Sequence, residues 1–287
     1  MIERTVEIVI NKQKTSDTYL MGLRSPDIVR EARAGQFVMI QTRTGSEPLL
    51  RRPFSISGTQ EDLFLVLYRV VGRGTLLMAH KRKGESLSVL GPLGRGFELP
   101  ANQEKCLLVA GGVGVAPLFF LAQTIKTAKI EFMMGFGTAG EILKTSGVDS
   151  PNVNVAIATD DGTYGHAGLA TDLLEAYVEE RKNEKEALSI FTCGPKPMLK
   201  KIALVAKQFD LPCQASLESA MACGLGACLG CAVKAAPSCA VKAAPSCAVK
   251  AAPSCAVKAA PKEGQTYRYV CKEGPVFPVQ AIDWDRL

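Results

Sequence analysis

The sequence predicts a multidomain β plus α/β protein: an antiparallel β-barrel, a Rossmann-like parallel α/β domain, and a small cysteine-rich C-terminal domain. Three observations carry this. Residues 1–101 consist of short aliphatic or alternating runs separated by Gly and Pro. Residues 102–212 alternate apolar strands with helical stretches, the pattern of βαβ units. Residues 213–287 hold most of the ten cysteines and almost no helical periodicity. A chain of 287 residues, 47% of them hydrophobic, is long enough for two or three such modules, and its single Trp makes the core aliphatic.

Each element follows from its local pattern. Val6–Ile10, Phe37–Ile40 and Leu63–Tyr68 read as barrel strands. In the second segment, Lys105–Ala110 is a strand followed by a helix near 117–128, then the strand Lys129–Met134. After the strand Val153–Ala158 come a helix near 168–181, the strand Leu188–Thr192 and a helix near 195–208. Ligands of such a sheet sit at the carboxyl ends of its strands.

Composition excludes several classes. No run approaches the roughly 18–20 apolar residues of a membrane span, so no membrane association is expected. The opening Met1–Val6 reads as a charged strand rather than a secretory leader, which makes the cytoplasm the expected location. The net charge of +6 is scattered, and the run His80–Lys83 has no interleaved aromatics, the mark of a solvated turn rather than a nucleic-acid patch. Ten cysteines without a secretion signal favour metal or redox chemistry over a disulfide framework.

The first candidate site is Leu50–Ser57, reading LRRPFSIS. Arg52 at a strand end suits a phosphate, and Phe54 and Ser55 suit a ring system, although an edge strand with exposed arginines would read alike. Tyr68–Thr75, YRVVGRGT, adds Gly74 and Thr75 at a helix start, where backbone N–H groups can approach a pyrophosphate. Together they outline a flavin nucleotide site. The next is Gly111–Pro117, GGVGVAP, between a strand and a helix. Gly111, Gly112 and Gly114 let a dinucleotide pyrophosphate approach the helix start, or simply make a tight connection, since the third glycine of the full dinucleotide pattern is missing. Cys193 and Gly194 end another strand; Cys193 is either a small buried residue or a contact for a nicotinamide ring. His80 and His166 read as ordinary loop residues, and no catalytic acid or base is nominated.

The most specific signal is Cys223, Cys228 and Cys231, spaced C-x₄-C-x₂-C, with Cys271 far downstream. This is the plant-type [2Fe–2S] arrangement, in which a short loop wraps one side of the cluster and a distant thiolate closes it. Gly224, Gly226 and Gly230 allow the loop to curl. Zinc favours paired C-x₂-C knuckles, and one is present.

Arg52–Ser55, Gly72–Thr75, Gly111–Gly114, Cys193–Pro195 with Met198, and Glu218–Cys228 stand in the order seen in the ferredoxin reductase-like superfamily. Within it the chain resembles the electron transfer subunits of class B dihydroorotate dehydrogenases, over nearly its whole length, with Glu273–Phe277 as the end of the cluster motif. The resemblance implies an FAD-binding barrel over 1–101, an NAD-binding α/β domain over 102–212 and a [2Fe–2S] ferredoxin-like domain over 213–287. It implies FAD contacts from Arg52, Pro53, Phe54, Ser55, Leu67, Tyr68, Arg69, Gly74 and Thr75. Iron ligation falls to Cys223, Cys228, Cys231 and Cys271. It implies electron transfer between NAD(H), FAD, the [2Fe–2S] cluster and an FMN-containing catalytic subunit, two of each forming a heterotetramer that serves pyrimidine biosynthesis. A diaphorase-type subunit of a sulfide dehydrogenase or hydrogenase, or a non-enzymatic redox sensor or iron store, would share these motifs. Glu141, with no nearby Arg in the turn Gly135–Glu141, inclines the reading toward NADH over NADPH.

Residues 231–262 repeat an eight-residue unit, CAVKAAPS. Cys231 and Cys271 enclose 39 residues, of which three extra copies supply 24, leaving 15. Only Cys231 keeps the C-x₂-C register; Cys239, Cys247 and Cys255 follow Pro-Ser. The units lack apolar surface for a fold of their own. They are expected to form a lengthened loop over 232–261, an in-frame expansion or an error in the sequence, costing about 0.8 kcal/mol of closure entropy.

Overall fold

The computed structural model describes residues 2–42, 48–99, 105–126, 128–143, 150–184, 187–236 and 267–287. The repeat units beyond Ala236, with Cys239, Cys247 and Cys255, lie outside the described residues.

The first segment closes into a six-stranded antiparallel barrel. Its strands are β1 (Ile2–Gln13), β2 (Thr18–Arg24), β3 (Phe37–Gln41), β4 (Arg52–Gln60), β5 (Leu63–Arg69) and β6 (Ser86–Leu93), in the order β1-β2-β5-β4-β3-β6. Period-two alternation turns Val6, Ile8, Val38, Ile40, Phe64, Val66 and Val89 into the interior, where all are buried. Helix α1 (Pro26–Glu31) joins β2 to β3, starting with Pro at its first position. Helix α2 (Arg73–Ala79) crosses between β5 and β6 and buries Met78 against the barrel core.

The second segment forms β7 (Lys105–Gly111), α3 (Val115–Thr124), β8 (Ile130–Phe136), β9 (Val153–Thr159), β10 (His166–Ala167), α4 (Ala170–Glu180), β11 (Leu188–Cys193) and α5 (Lys196–Gln208). Every expected strand and helix is present. Helix α3 begins two residues before the expected start and ends earlier than 128, because Ile125 turns extended and buries its side chain in the core. Residues 115–122 of this helix are buried on all sides, since it is wedged between the sheet and barrel strand β4.

The sheet does not stop at the expected boundary of 212. Strand β12 (Cys213–Ser216) adds in parallel beside β11, and β15 (Val276–Pro278) adds antiparallel beside β12. The order is β10-β9-β8-β7-β11-β12-β15. The chain leaves β7 in one direction and returns to β11 on its other side, so the switch point of the sheet lies between these two strands.

The rest of the third segment is compact. Strand β13 (Ala232–Lys234) pairs antiparallel with β14 (Tyr267–Tyr269), which leads into the short helix α6 (Val270–Glu273). This corrects the expectation that the whole of 232–261 is loop. The first repeat unit folds because its neighbours supply the partners: Val233 faces Arg268 across the ladder, and Ala235 bridges to Ile282 and is buried. Among the described residues no helix is long and apolar enough to cross a membrane.

Candidate functional site

A cleft of about 670 Å³ opens between the barrel and the carboxyl end of the sheet. That volume lies in the range of small-molecule and cofactor sites, roughly 300–1,000 Å³. On the barrel side it is lined by Arg52, Pro53, Phe54 and Ser55 from β4, Leu67, Tyr68 and Arg69 from β5, and Thr75 from α2. The two adjacent arginines divide their work. Arg51 turns onto the barrel surface, donating to Ser88 and pairing with Glu3 at 2.5 Å, whereas Arg52 faces the cleft. Gly74 makes room for it: a Cβ there would stand 2.8 Å from Arg52 Nε.

Thr75 is fixed by its own turn. Its hydroxyl accepts from the Val71 and Gly72 N–H groups at 3.0 and 3.2 Å and donates to the Gly72 carbonyl at 3.0 Å. Those two N–H groups are therefore held within the protein. Tyr68 stacks on Tyr19 at 5.7 Å and meets Phe54 edge-on at 5.9 Å. Burial pushes its phenol well above the ordinary range, so it is neutral and available as a donor.

The opposite wall comes from the switch point of the sheet. Val113 and Ala116 line the cleft there, while Gly111, Gly112 and Gly114 lie beside it in three different environments. A Cβ on Gly111 would meet Pro195 at 2.7 Å, and one on Gly114 would stand 2.4 Å from the Cys193 carbonyl oxygen. Gly112 is different, with φ +54° and no atom within 4 Å of the added Cβ. Cys193 is buried and does not line the cleft; Gly194, Pro195 and Lys196 do. Burial, followed by the Glu218 carboxylate nearby, raises the Cys193 thiol well above its ordinary range.

Leu217, Glu218, Ser219, Ala220 and Met221 complete this wall. The sequence reading placed this segment in a motif without assigning it to the cleft. Glu218 is the only acidic side chain among the lining residues, and burial raises its carboxyl. No local pattern announces it, because the cleft it lines is assembled from separate elements.

Two residues beyond Met221 begins the cysteine loop, which the structure brings against Cys271. The thiols gather in two pairs. Cys231 Sγ and Cys271 Sγ are 3.2 Å apart, while the Cys228 thiol bonds to Cys223. Backbone donors converge on the sulfurs: Leu225 N–H and Cys228 N–H on Cys223 at 3.3 and 3.4 Å, Gly226 N–H on Cys271 at 3.1 Å, and Cys271 N–H on Cys231 at 3.4 Å. Burial works to raise the Cys223 thiol, but these donors outweigh it and bring the thiol down to about 6. Gly224 and Gly226 reach φ +70° and +79°, the left-handed backbone that aims the N–H groups inward.

Among the described residues no three ligand-type side chains converge on one point as a single zinc ion requires. Two thiol pairs set side by side, with N–H groups directed at sulfur, suit a two-iron cluster, in which each iron takes two cysteines. The cleft and cysteine loop thus fit a flavin nucleotide and a [2Fe–2S] cluster, placed close together by one short stretch of chain.

Comparison with known proteins agrees with this geometry. Residues 246–283 match the iron-sulfur cluster binding domain of dihydroorotate dehydrogenase B. The chain is 35% identical over 274 residues, 94% of each protein, to the dihydroorotate dehydrogenase B (NAD(+)) electron transfer subunit of Desulforamulus reducens. Among solved structures it resembles an NADH-dependent reduced ferredoxin-NADP oxidoreductase, studied for flavin-based electron bifurcation. That match has a TM-score of 0.77 and 27% identity, covering 98% of this chain and 91% of the other. It shares the fold of a ferredoxin NADP⁺ reductase from Neisseria gonorrhoeae with bound FAD and NADP. There the TM-score is 0.59 and the identity 16%, over 72% of this chain and 91% of that one.

Proposed function

Since the chain belongs to the family of dihydroorotate dehydrogenase B electron transfer subunits, we propose that it passes electrons from a dihydroorotate-oxidising catalytic subunit to NAD⁺. It is an oxidoreductase subunit whose cofactors are FAD, a [2Fe–2S] cluster and NAD(H). The observation that carries the reading is the shared wall: Leu217–Met221 lines the flavin cleft and runs directly into the first cluster cysteine.

In this reading Arg52, Pro53, Phe54, Ser55, Leu67, Tyr68, Arg69, Gly74 and Thr75 hold FAD. Gly111, Gly112, Gly114 and Gly194 admit NAD(H), and Cys193 packs behind them. Cys223, Cys228, Cys231 and Cys271 hold the iron. When bound, FAD would supply the interchange between two-electron and one-electron transfer, and a [2Fe–2S] cluster held by those cysteines would supply one-electron transfer. The protein's own side chains orient and enclose. Phe54 and Tyr68 form an apolar face, Arg52 offers positive charge, and the segment Ser219–Met221 carries the wall of the cleft on toward the cysteines. Oxidation of dihydroorotate releases two electrons and two protons; the hydride formed on NAD⁺ takes both electrons and one proton, and the other proton leaves to solvent. The chain needs no acid or base for that oxidation, which belongs to its partner.

We further assign the partner an FMN group, two copies of each subunit to the complex, and a cytoplasmic location, where the thiols stay reduced. We take the barrel as 1–101 and move the end of the α/β domain to Ser216, with β15 contributed by the C-terminal segment. Co-expression with a candidate FMN subunit tests the proposal. The expected result is a co-purifying complex with flavin and iron–sulfur absorbance that reduces NAD⁺ with dihydroorotate. A complex that carries both cofactors yet reduces NAD⁺ only with another donor would replace the partner and keep the chemistry of this chain.

A further inference from the structure

Asn11, on β1, is outside the cleft lining and in none of the motifs, and its carboxamide is used at both ends. Its Nδ2 donates to the carbonyls of Met78 and Lys81, each at 2.8 Å, and more weakly to that of Ala79 at 3.4 Å. Its Oδ1 accepts from the Tyr68 hydroxyl at 3.0 Å. The Met78 and Ala79 carbonyls belong to the last turn of α2, the first of them also accepting from the Lys81 N–H at 3.0 Å; the Lys81 carbonyl follows just beyond the helix, and Tyr68 belongs to β5. One half-buried side chain of β1 thus ties together two elements that are both walls of the cleft: β5 through Tyr68, and α2 through the helix that carries Thr75.

The chemistry is specific to asparagine. The site requires an acceptor facing a phenol and donors facing carbonyls, about one amide apart. An aspartate keeps the acceptor but sets a negative charge against the negative end of the helix. A leucine of similar volume leaves the phenol and the carbonyls without their partner. The Tyr68 ring is held by its stacking on Tyr19 and its edge contact with Phe54, and its hydroxyl is anchored by Asn11.

We propose that Asn11 is a positioning residue for the flavin, setting the distance between the Tyr68 wall and the α2 wall. This rests on the reading of the cleft as the FAD site. The test is titration of apo-protein with FAD, followed by flavin fluorescence and by circular dichroism of the bound flavin, for the parent, Asn11→Leu, Asn11→Asp, Tyr68→Phe and the Asn11→Leu/Tyr68→Phe pair. If the parent takes up no FAD, the reading of the cleft fails before Asn11 is in question. With FAD bound by the parent, Asn11→Leu is expected to weaken binding tenfold or more and alter the flavin dichroism. Tyr68→Phe should weaken it about threefold, and the pair no more than Asn11→Leu alone, because the shared bond is already lost. Should the leucine variant fail to fold, Asn11→Asp and Tyr68→Phe carry the test, each expected to weaken FAD at least threefold. Variants that lower the melting temperature but bind FAD within twofold of the parent, with unchanged dichroism, make Asn11 a structural strut and overturn the proposal.

Discussion

Replacing Gly112 and Gly114 separately by Ala distinguishes a nucleotide-binding turn from a merely tight connection. At Gly112 the added methyl meets no atom within 4 Å, and the only intrinsic cost is the φ of +54°. A left-handed residue other than Gly costs about 1–2 kcal/mol, which lowers the melting temperature by a few degrees in a protein of this size. The fold, FAD and cluster absorbance should survive. The methyl would, however, project into the open space that the switch point offers a dinucleotide. The Michaelis constant for NADH in reduction of an artificial acceptor should rise tenfold or more, with a smaller change in the maximal rate.

Gly114 presents the opposite case. Its added methyl would lie 2.4 Å from the Cys193 carbonyl oxygen and 2.7 Å from the carbon, backbone that no side-chain rotation can clear. Overpacking of this kind costs about 1–3 kcal/mol and at times more, so Gly114→Ala should lose melting temperature more severely and disturb α3 and β11 together. Stopped-flow reduction by NADH and thermal melts read out both variants. If Gly112→Ala reduces with the parent's NADH dependence, within twofold, then the glycine serves only the local turn and the assignment of this wall to NAD(H) is wrong.

Other expectations concern the cluster, the acid of the cleft and the nucleotide. Cys223→Ser or Cys271→Ser should abolish the [2Fe–2S] absorbance, whereas Cys239, Cys247 and Cys255 changed together to Ser should leave it intact; loss in the triple variant would give the repeats a share in ligation. Burial holds the Glu218 carboxyl above its ordinary value near 4.5, so in acid both folded and unfolded chains carry the proton and no penalty exists. As pH rises the unfolded chain ionises first and the fold is disfavoured until the folded carboxyl also ionises. Glu218→Gln should therefore be more stable than the parent around neutral pH and lose that advantage below about pH 4; denaturant melts at both values check the sign, and an advantage that persists in acid would exclude the carboxyl as its source. Finally, Glu141 accepts the Gly137 N–H at 3.1 Å, which places a carboxylate at the end of β8. NADPH, with its extra phosphate, should reduce the flavin at least tenfold more slowly than NADH, and equal rates would remove the preference.

Legibility followed the range of the interactions. The barrel strands could be read because alternation is local, and the helices α4 and α5 because each has one buried and one exposed face. The expected end of α3 ran past Ile125 because a helix buried on every side shows no face from which to read its limits. Strands β12 and β15 are four and three residues long and exist through pairing, β12 beside β11 and β15 beside β12 across some sixty positions, so 212 looked like a boundary. The four cysteines could be singled out because their spacing is a local signal, and the structure brings their thiols together. Glu218 and Asn11 could not: the first lines a cleft built from several elements, and the second matters through carbonyls 67 and 70 positions away.

The same difference between local and distant constraint explains how the chain accommodates its repeats. The third and fourth cluster cysteines do not depend on the length of chain between them. They are locked by the β13–β14 ladder: Val270 N–H donates to the Cys231 carbonyl at 3.2 Å and Cys271 N–H to Cys231 Sγ at 3.4 Å. Ala236 N–H and Asp283 N–H then tie the first repeat unit to the C-terminal segment. The sulfurs are therefore set by contacts completed by Ala236, before the repeated units begin to accumulate. Length inserted after that point bears only on loop closure, about 0.8 kcal/mol for 39 residues against 15. An insertion of the same size between Cys223 and Cys231 would instead separate donors that reach sulfur from within that loop, where Leu225 and Cys228 bond Cys223 and Gly226 bonds Cys271. The repeats thus follow a point at which the described contacts of Cys231 and Cys271 are already made.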